Sequence, residues 1–202
     1  MGFYQDRIVP QLVNLSMRNR QLTPYRERIV SQAQGRLLEI GVGSGVNLPL
    51  YTDRVTKVLG LEPSPKLIKM AARKPARIPA ELIEGSGESI PLDDSSIDTV
   101  VTTWTLCSSP DVTKALAEMR RVLKPDGRFL FVEHGLSPDE RVRRWQDRLN
   151  PIWKKIAGGC HLNRPIRTLI EGAGFRISRI ETGYMPGPKP MTFMYEGAAR
   201  PM

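Results

Sequence analysis

Apolar positions along the chain follow two alternating rhythms. Short apolar or β-branched runs read as strands, and stretches with apolar residues three and four apart read as helices. Leu37, Leu38 and Ile40 form the first strand and Val58 to Leu61 the second. Ala80 to Ile83 gives a third, Ile97 to Thr103 a fourth and Phe129 to Val132 a fifth. Ile177 to Ile180 and Met191 to Tyr195 add two more, joined by a loop of prolines and glycines. Between strands, Leu67, Ile68, Met70 and Ala71 follow Pro63, Ser64 and Pro65 at helical spacing. Asp111 caps a helix carrying Val112, Ala115, Leu116, Met119, Val122 and Leu123, and Lys124-Pro125-Asp126-Gly127 predicts a turn after it. Gly174 stops a helix running from Arg164 to Ala173. Ahead of the first strand, Ile8, Val9, Leu12, Val13 and Leu15 share one helical face, with Pro10 in the first turn, and a second helix runs from Pro24 to Val30. The alternation predicts a three-layer α/β sandwich with a parallel sheet and right-handed crossovers.

At 202 residues the chain fits one α/β domain with a full core. Residues 1–34 read as an N-terminal helical cap and 35–202 as the main domain. Leu136 to Asn163 is too long for a plain strand-to-helix loop, and reads as a lid inserted at about 136–163. No apolar run approaches a membrane span, and the first residues lack the apolar region of a signal peptide. Two cysteines, Cys107 and Cys160, are too few for a disulfide framework, so the expected setting is a reducing cytoplasm.

The net charge of +9 is unevenly placed. Between Glu140 and Arg167 the excess is +6, and in the first thirty-six residues +4. Such faces are either solvated basic surface or contact sites for anions, including acidic lipid headgroups. No aromatic-rich nucleic-acid motif accompanies the charge, which argues against a nucleic-acid partner.

The most specific chemistry lies in Leu37 to Leu48, LLEIGVGSGVNL. A strand ends at Glu39 and Ile40 and runs into Gly41, Gly43 and Gly45, and the apolar pattern resuming at Val46 and Leu48 predicts a helix next. A dinucleotide loop places its third small residue five positions after the first, whereas here the interval is four. Glu39 would repel a pyrophosphate and suits a cationic ligand without phosphate. Glu62 ends the second strand twenty-one residues after Gly41, near the distance at which a carboxylate reaches ribose hydroxyls.

These residues, together with EGSGESIPLDDSSIDTVV (Glu84 to Val101), MRRVLKPDGRFLFVEH (Met119 to His134) and GAGF (Gly172 to Phe175), resemble class I methyltransferases of the ubiquinone/menaquinone-biosynthesis type. The resemblance implies a Rossmann-like seven-stranded sheet, mostly parallel, in the order 3-2-1-4-5-7-6 with the last strand antiparallel. It implies S-adenosyl-L-methionine as cofactor. Carried over, Gly41, Gly43 and Gly45 line its methionine and ribose part, Glu39 lies near the amino end and Glu62 takes the ribose. Ser86, where many relatives have Asp, with Gly87 and Glu88, faces the adenine, and Thr103 and Trp104 face the reacting methyl.

TLCSS (Thr105 to Ser109), VEH (Val132 to His134) and LNPIWKKIAGGCHLNR (Leu149 to Arg164) are further similar to the microsomal alkyl thiol methyltransferases. That likeness implies a small apolar acceptor, a thiol first. A phospholipid amine such as phosphatidylethanolamine, or a quinol, is the alternative acceptor, and a non-catalytic cofactor-binding regulator the alternative class. That group begins with a hydrophobic anchor; here the same end reads as a short amphipathic helix, pointing to peripheral membrane contact at most. His134 and His161 are the candidates for a base or a substrate contact, against structural hydrogen bonding. Cys107, Trp153 and Cys160 join Trp104 as acceptor-side candidates. Cys107, His134, Cys160 and His161 have metal-ligand chemistry but only one close-spaced pair, so no metal is expected.

Overall fold

The computed structural model describes residues 8–202. The first seven residues of the expected N-terminal cap, Asp6 and Arg7 among them, lie outside the described residues. The elements run α1 (Val9–Met17), α2 (Thr23–Val30), β1 (Gly35–Ile40), β2 (Val55–Glu62), α3 (Pro65–Ala71), β3 (Ala80–Glu84), β4 (Ile97–Thr103), α4 (Val112–Val122), β5 (Leu123–His134), α5 (Glu140–Ile156), α6 (Ile166–Gly172), β6 (Phe175–Tyr184), α7 (Lys189–Thr192) and β7 (Phe193–Pro201). One seven-stranded sheet has the order β3-β2-β1-β4-β5-β7-β6, and β7 lies antiparallel to both its neighbours. This is the arrangement that the resemblance implies.

Side chains two apart on a strand share a face, so each central strand feeds two cores. Leu38, Ile40, Val100, Phe129 and Phe131 meet Leu116 and Met119 of α4 and Ile166 and Ile170 of α6 on one side. Leu37, Val58, Val101, Leu130 and Val132 meet Ile29 and Val30 of α2 on the other. Truncating a fully buried member such as Met119 to Ala would cost roughly 2–5 kcal/mol. The strand order reverses between β1 and β4, and the crevice beyond the carboxyl ends of those strands is where an open α/β sheet binds ligands.

Three local expectations change. The helix predicted after the glycine turn is only a 3₁₀ turn, Leu48–Leu50. Pro49 supplies no N–H, and Tyr51 turns extended because its hydroxyl is drawn to buried Glu39. The turn predicted at Lys124 to Gly127 is absorbed as an irregularity in β5, whose register against β4 jumps between the Ile97–Leu123 and Thr99–Arg128 pairs. The helix expected from Arg164 begins two residues later, because the Arg164 guanidinium is buried and donates to the carbonyls of Leu106 and Ser109. The predicted lid region is mostly α5, which is held to the body by buried Gln146. That side chain's amide donates to the carbonyls of Gly135 and Leu162.

Candidate active site

A cleft of about 1710 Å³ opens along the carboxyl edge of β1, β2, β4 and β5. Its first end is the turn after β1. Gly41 and Gly43 have φ of +71° and +56°, a region costly for residues with a Cβ. At Gly41 a Cβ would also lie 2.6 Å from the Thr105 hydroxyl, whereas at Gly43 one would meet nothing closer than the Gly41 carbonyl at 3.8 Å, in open cleft. The turn is tied to β2, because the Gly43 N–H donates to Glu62 Oε2 at 3.1 Å and the Ser64 N–H to Oε1 at 3.0 Å. Burial raises the Glu62 pKa against these two bonds.

Behind the turn, Glu39 is buried and accepts from Asn47 Nδ2 at 2.6 Å and Tyr51 Oη at 2.8 Å. Burial pushes its pKa up to about 7, against those bonds and the charge of Arg26. Asn47 Nδ2 also donates to Thr103 Oγ1 at 3.0 Å, which fixes the end of β4. On the far wall Ser86 donates to Glu88 at 2.6 Å. Glu88 also accepts from the Ser109 hydroxyl and the Asp111 N–H, so its carboxylate braces the wall.

Trp104 follows β4 with φ +53°, an unusual conformation for a bulky residue that costs roughly 1–2 kcal/mol. Its N–H donates to the Val132 carbonyl at 2.8 Å, and the Arg26 guanidinium lies 4.7 Å from its ring centroid. Arg26 is 4 % exposed, and burial lowers its pKa to about 10.

The second end of the cleft is built on sulfur and imidazole. His134, the last residue of β5, places Nε2 3.0 Å from Cys160 Sγ, and Cys107 Sγ completes a group whose three atoms lie within 4.8 Å of one another. Hydrogen bonding with Cys107, opposed by burial and reinforced by His134, holds the Cys160 thiol well below its ordinary pKa. Cys107 is pushed up, by the same bond and by burial. For His134 burial acts downward, but the bond to Cys160 and the charges of Cys160 and Glu133 outweigh it, so its pKa rises. Glu133 is fully buried, and burial brings it to about 7 against the N–H bonds of Thr105 and Leu106. Trp153, Leu162 and Met194 line the cleft beside this group.

The fold thus brings Glu39, Gly41, Gly43, Glu62, Ser86, Gly87, Glu88, Thr103, Trp104, Cys107, His134, Trp153 and Cys160 into one lining. Two expected site residues stand apart from it. Gly45 packs the turn against α3, where a Cβ would lie 3.0 Å from Ala71 Cα. His161 puts both its backbone N–H and its ring Nδ1 within hydrogen-bond distance of the Cys107 carbonyl, at 2.8 and 3.1 Å. It anchors the loop that carries Cys160. Arg26, Asn47, Tyr51 and Glu133 escaped the sequence reading. Glu133, directly before His134 at a strand end, was the one with a visible signal.

The turn also passes a fit test for the cofactor. Gly43 leaves open space where a Cβ would stand, and the buried Ser44 hydroxyl beside it in the lining has no partner among the described residues. A family model described as a methyltransferase domain matches residues 38–131. The chain belongs to the class I S-adenosylmethionine-dependent methyltransferases. Among its relatives, the thiol S-methyltransferase TMT1B of Rattus norvegicus is 38% identical over 158 residues, which cover 75% of this chain and 64% of that protein. The Homo sapiens protein of that name is 33% identical over 184 residues, 84% of this chain and 74% of that one. The chain therefore spans about two thirds to three quarters of their length. A solved SAM-dependent methyltransferase of Leishmania major shares the fold with a TM-score of 0.72 at 17% identity, covering 98% of this chain and 80% of that one.

Proposed function

We propose that the protein methylates a small, apolar thiol with S-adenosylmethionine as donor. The observation that carries this reading is the Cys107–His134–Cys160 group at the far end of the same cleft as the glycine turn. When bound, the cofactor supplies a methyl group already activated on a sulfonium. The protein then has mainly to bind and orient. Gly41 and Gly43 form the cradle, Glu62 accepts from ribose hydroxyls, and the wall at Ser86 and Gly87 faces the adenine. Thr103 and Trp104 flank the junction between the two ends. A free thiol is mostly protonated at neutral pH, and the thiolate is the nucleophile. The His134 imidazole, 3.0 Å from Cys160 Sγ, offers a thiol beside it a hydrogen-bond partner. Trp153, Leu162 and Met194 keep that end dry and apolar. The relatives named thiol S-methyltransferases support the same choice.

Within the N-terminal segment, residues 8–34 serve as a cap over the cleft mouth, and the 136–163 segment serves as its lid. Leu12 and Leu15 of α1 line the mouth, and Val9 lies against the loop at Gly158. Leu15 is 71% exposed and Ile152 of α5 65%, among basic side chains, a surface suited to peripheral contact with acidic lipid. Among the described residues no helix is long and apolar enough to cross a membrane.

Calorimetry with S-adenosylmethionine, followed by a methyl-donor assay on alkyl thiols, lipid vesicles and quinol precursors, tests the reading. Turnover of alkyl thiols is expected. Turnover of vesicle lipid without any thiol would reverse the acceptor assignment, and absence of cofactor binding would end the enzyme reading.

A further inference from the structure

The three side chains at the acceptor end come from separate parts of the chain. Cys107 lies in the loop after β4, His134 ends β5 and Cys160 follows α5. We propose that Cys107, His134 and Cys160 bind one thiophilic divalent cation of the zinc class, with a fourth position open to the cleft for a thiol. The cation site stands on geometry and donor chemistry alone; only the identity of the fourth ligand rests on the methyl-transfer reading.

Two sulfurs and one imidazole select a soft or borderline cation over magnesium or calcium. Three protein ligands with one open position is the pattern of reactive zinc sites rather than structural ones. Around a tetrahedral zinc, sulfur and nitrogen donors stand about 3.5–3.8 Å apart, from bond lengths of about 2.3 and 2.0 Å. The group here lies within 4.8 Å, with Cys160 Sγ and His134 Nε2 at 3.0 Å. Metal entry therefore needs that pair to open by about half an ångström.

All three ligands sit on tied backbone. His134 is fixed by sheet pairing with Met194, and the Cys107 carbonyl is tied to His161. Cys160 sits after Gly158 and Gly159, where the Gly159 and Cys160 N–H groups donate to the Lys154 and Ala157 carbonyls at 2.9 and 3.1 Å.

Charge balance points the same way. Two thiolates side by side, one of them on fully enclosed Cys107, are costly unless a cation joins them. A dication binds the two cysteines as thiolates and the histidine as a neutral imidazole, so the protons they carried go to solvent and the group has no net charge. A thiol entering the fourth position releases a third proton and becomes a bound thiolate, the form that the proposed reaction needs.

Chelator-stripped, reduced protein is titrated anaerobically with cobalt(II). One equivalent is expected to give thiolate-to-cobalt charge-transfer absorption and tetrahedral visible bands, displaced by zinc. Cys160→Ser and Cys107→Ser each should lower the affinity at least tenfold, and His134→Ala should change the visible bands. Melting curves of each variant with and without S-adenosylmethionine show whether fold and donor site survive. Absence of the charge-transfer band in the wild type, or an undiminished band in folded Cys160→Ser, overturns the site. A cobalt spectrum unmoved by a small alkyl thiol overturns the open position. If stripped protein binds no cobalt but methylates alkyl thiols at full rate, the cation site fails and the methyl-transfer reading stands. If cobalt binds as described but no thiol is methylated, the reverse holds.

Discussion

Glu62 shows how one carboxylate can carry two tasks. It holds the Gly43 and Ser64 amides, and so shapes the turn, while lining the cleft beside it. Glu62→Ala should weaken S-adenosylmethionine affinity at least tenfold by calorimetry; an unchanged affinity removes Glu62 from the site. At the other end, the depressed Cys160 pKa means that its thiolate persists where an ordinary thiol is protonated. Alkylation of Cys160, followed by mass spectrometry, should therefore stay nearly constant from mildly alkaline to mildly acidic pH. A rate falling tenfold per pH unit below the ordinary thiol pKa would contradict the pairing with His134. Glu39, Gly41, Gly43 and Glu62 were legible because a glycine turn between two strand-end acids has few other uses. Arg26 was not. In the sequence it is one of five arginines before β1, and only the packing of α2 reveals that it is buried over Trp104.

At the level of elements, the glycine turn separates folding from binding. Gly41→Ala puts a Cβ into Thr105, in addition to the cost of its φ, so both melting temperature and cofactor affinity should fall. Gly43→Ala carries only the conformational cost, about 1–2 kcal/mol, but its methyl enters the cradle. Its melting temperature should therefore lie closer to the wild type while cofactor affinity drops as much. Equal melting losses for the two variants would show that the turn has no such division. The strands were readable because the middles of β1, β4 and β5 are buried and carry short apolar runs, Leu37-Leu38, Val100-Val101 and Phe129 to Val132. The element after the turn was not, since Val46 and Leu48 are apolar for packing while Pro49 and the pull of Glu39 on Tyr51 limit the chain to one 3₁₀ turn. The lid's composition was plain, but its helix α5 contains Pro151, which in a sequence argues for a break.

For the whole molecule, buried carboxylates link stability to pH. Glu133 has a pKa of about 7 when folded against an ordinary 4.5. Between those values the native state holds a proton that the unfolded chain has lost, so this group's contribution falls as pH rises, by at most about 3 kcal/mol. Glu133→Gln should lose less stability than the wild type between about pH 5 and pH 8, measured by denaturant unfolding. Parallel losses would show that Glu133 titrates normally. The exposed apolar and basic mouth gives a second expectation. Co-sedimentation with acidic vesicles should exceed that with neutral ones, weaken with salt, and fall in Leu15→Glu. Equal binding to both vesicle types would remove the proposed membrane contact.

The amino-acid order by itself determined the βαβ alternation, the cofactor turn and the family, because these depend on local periodicity and on residues adjacent in the chain. Tertiary structure alone decided which far-separated polar groups meet. Cys107, His134 and Cys160 are more than fifty residues apart from first to last, and their convergence depends on where β4, β5 and the end of α5 pack. The same packing turned His161, adjacent to Cys160, away from the cleft, because its ring is held at the Cys107 carbonyl.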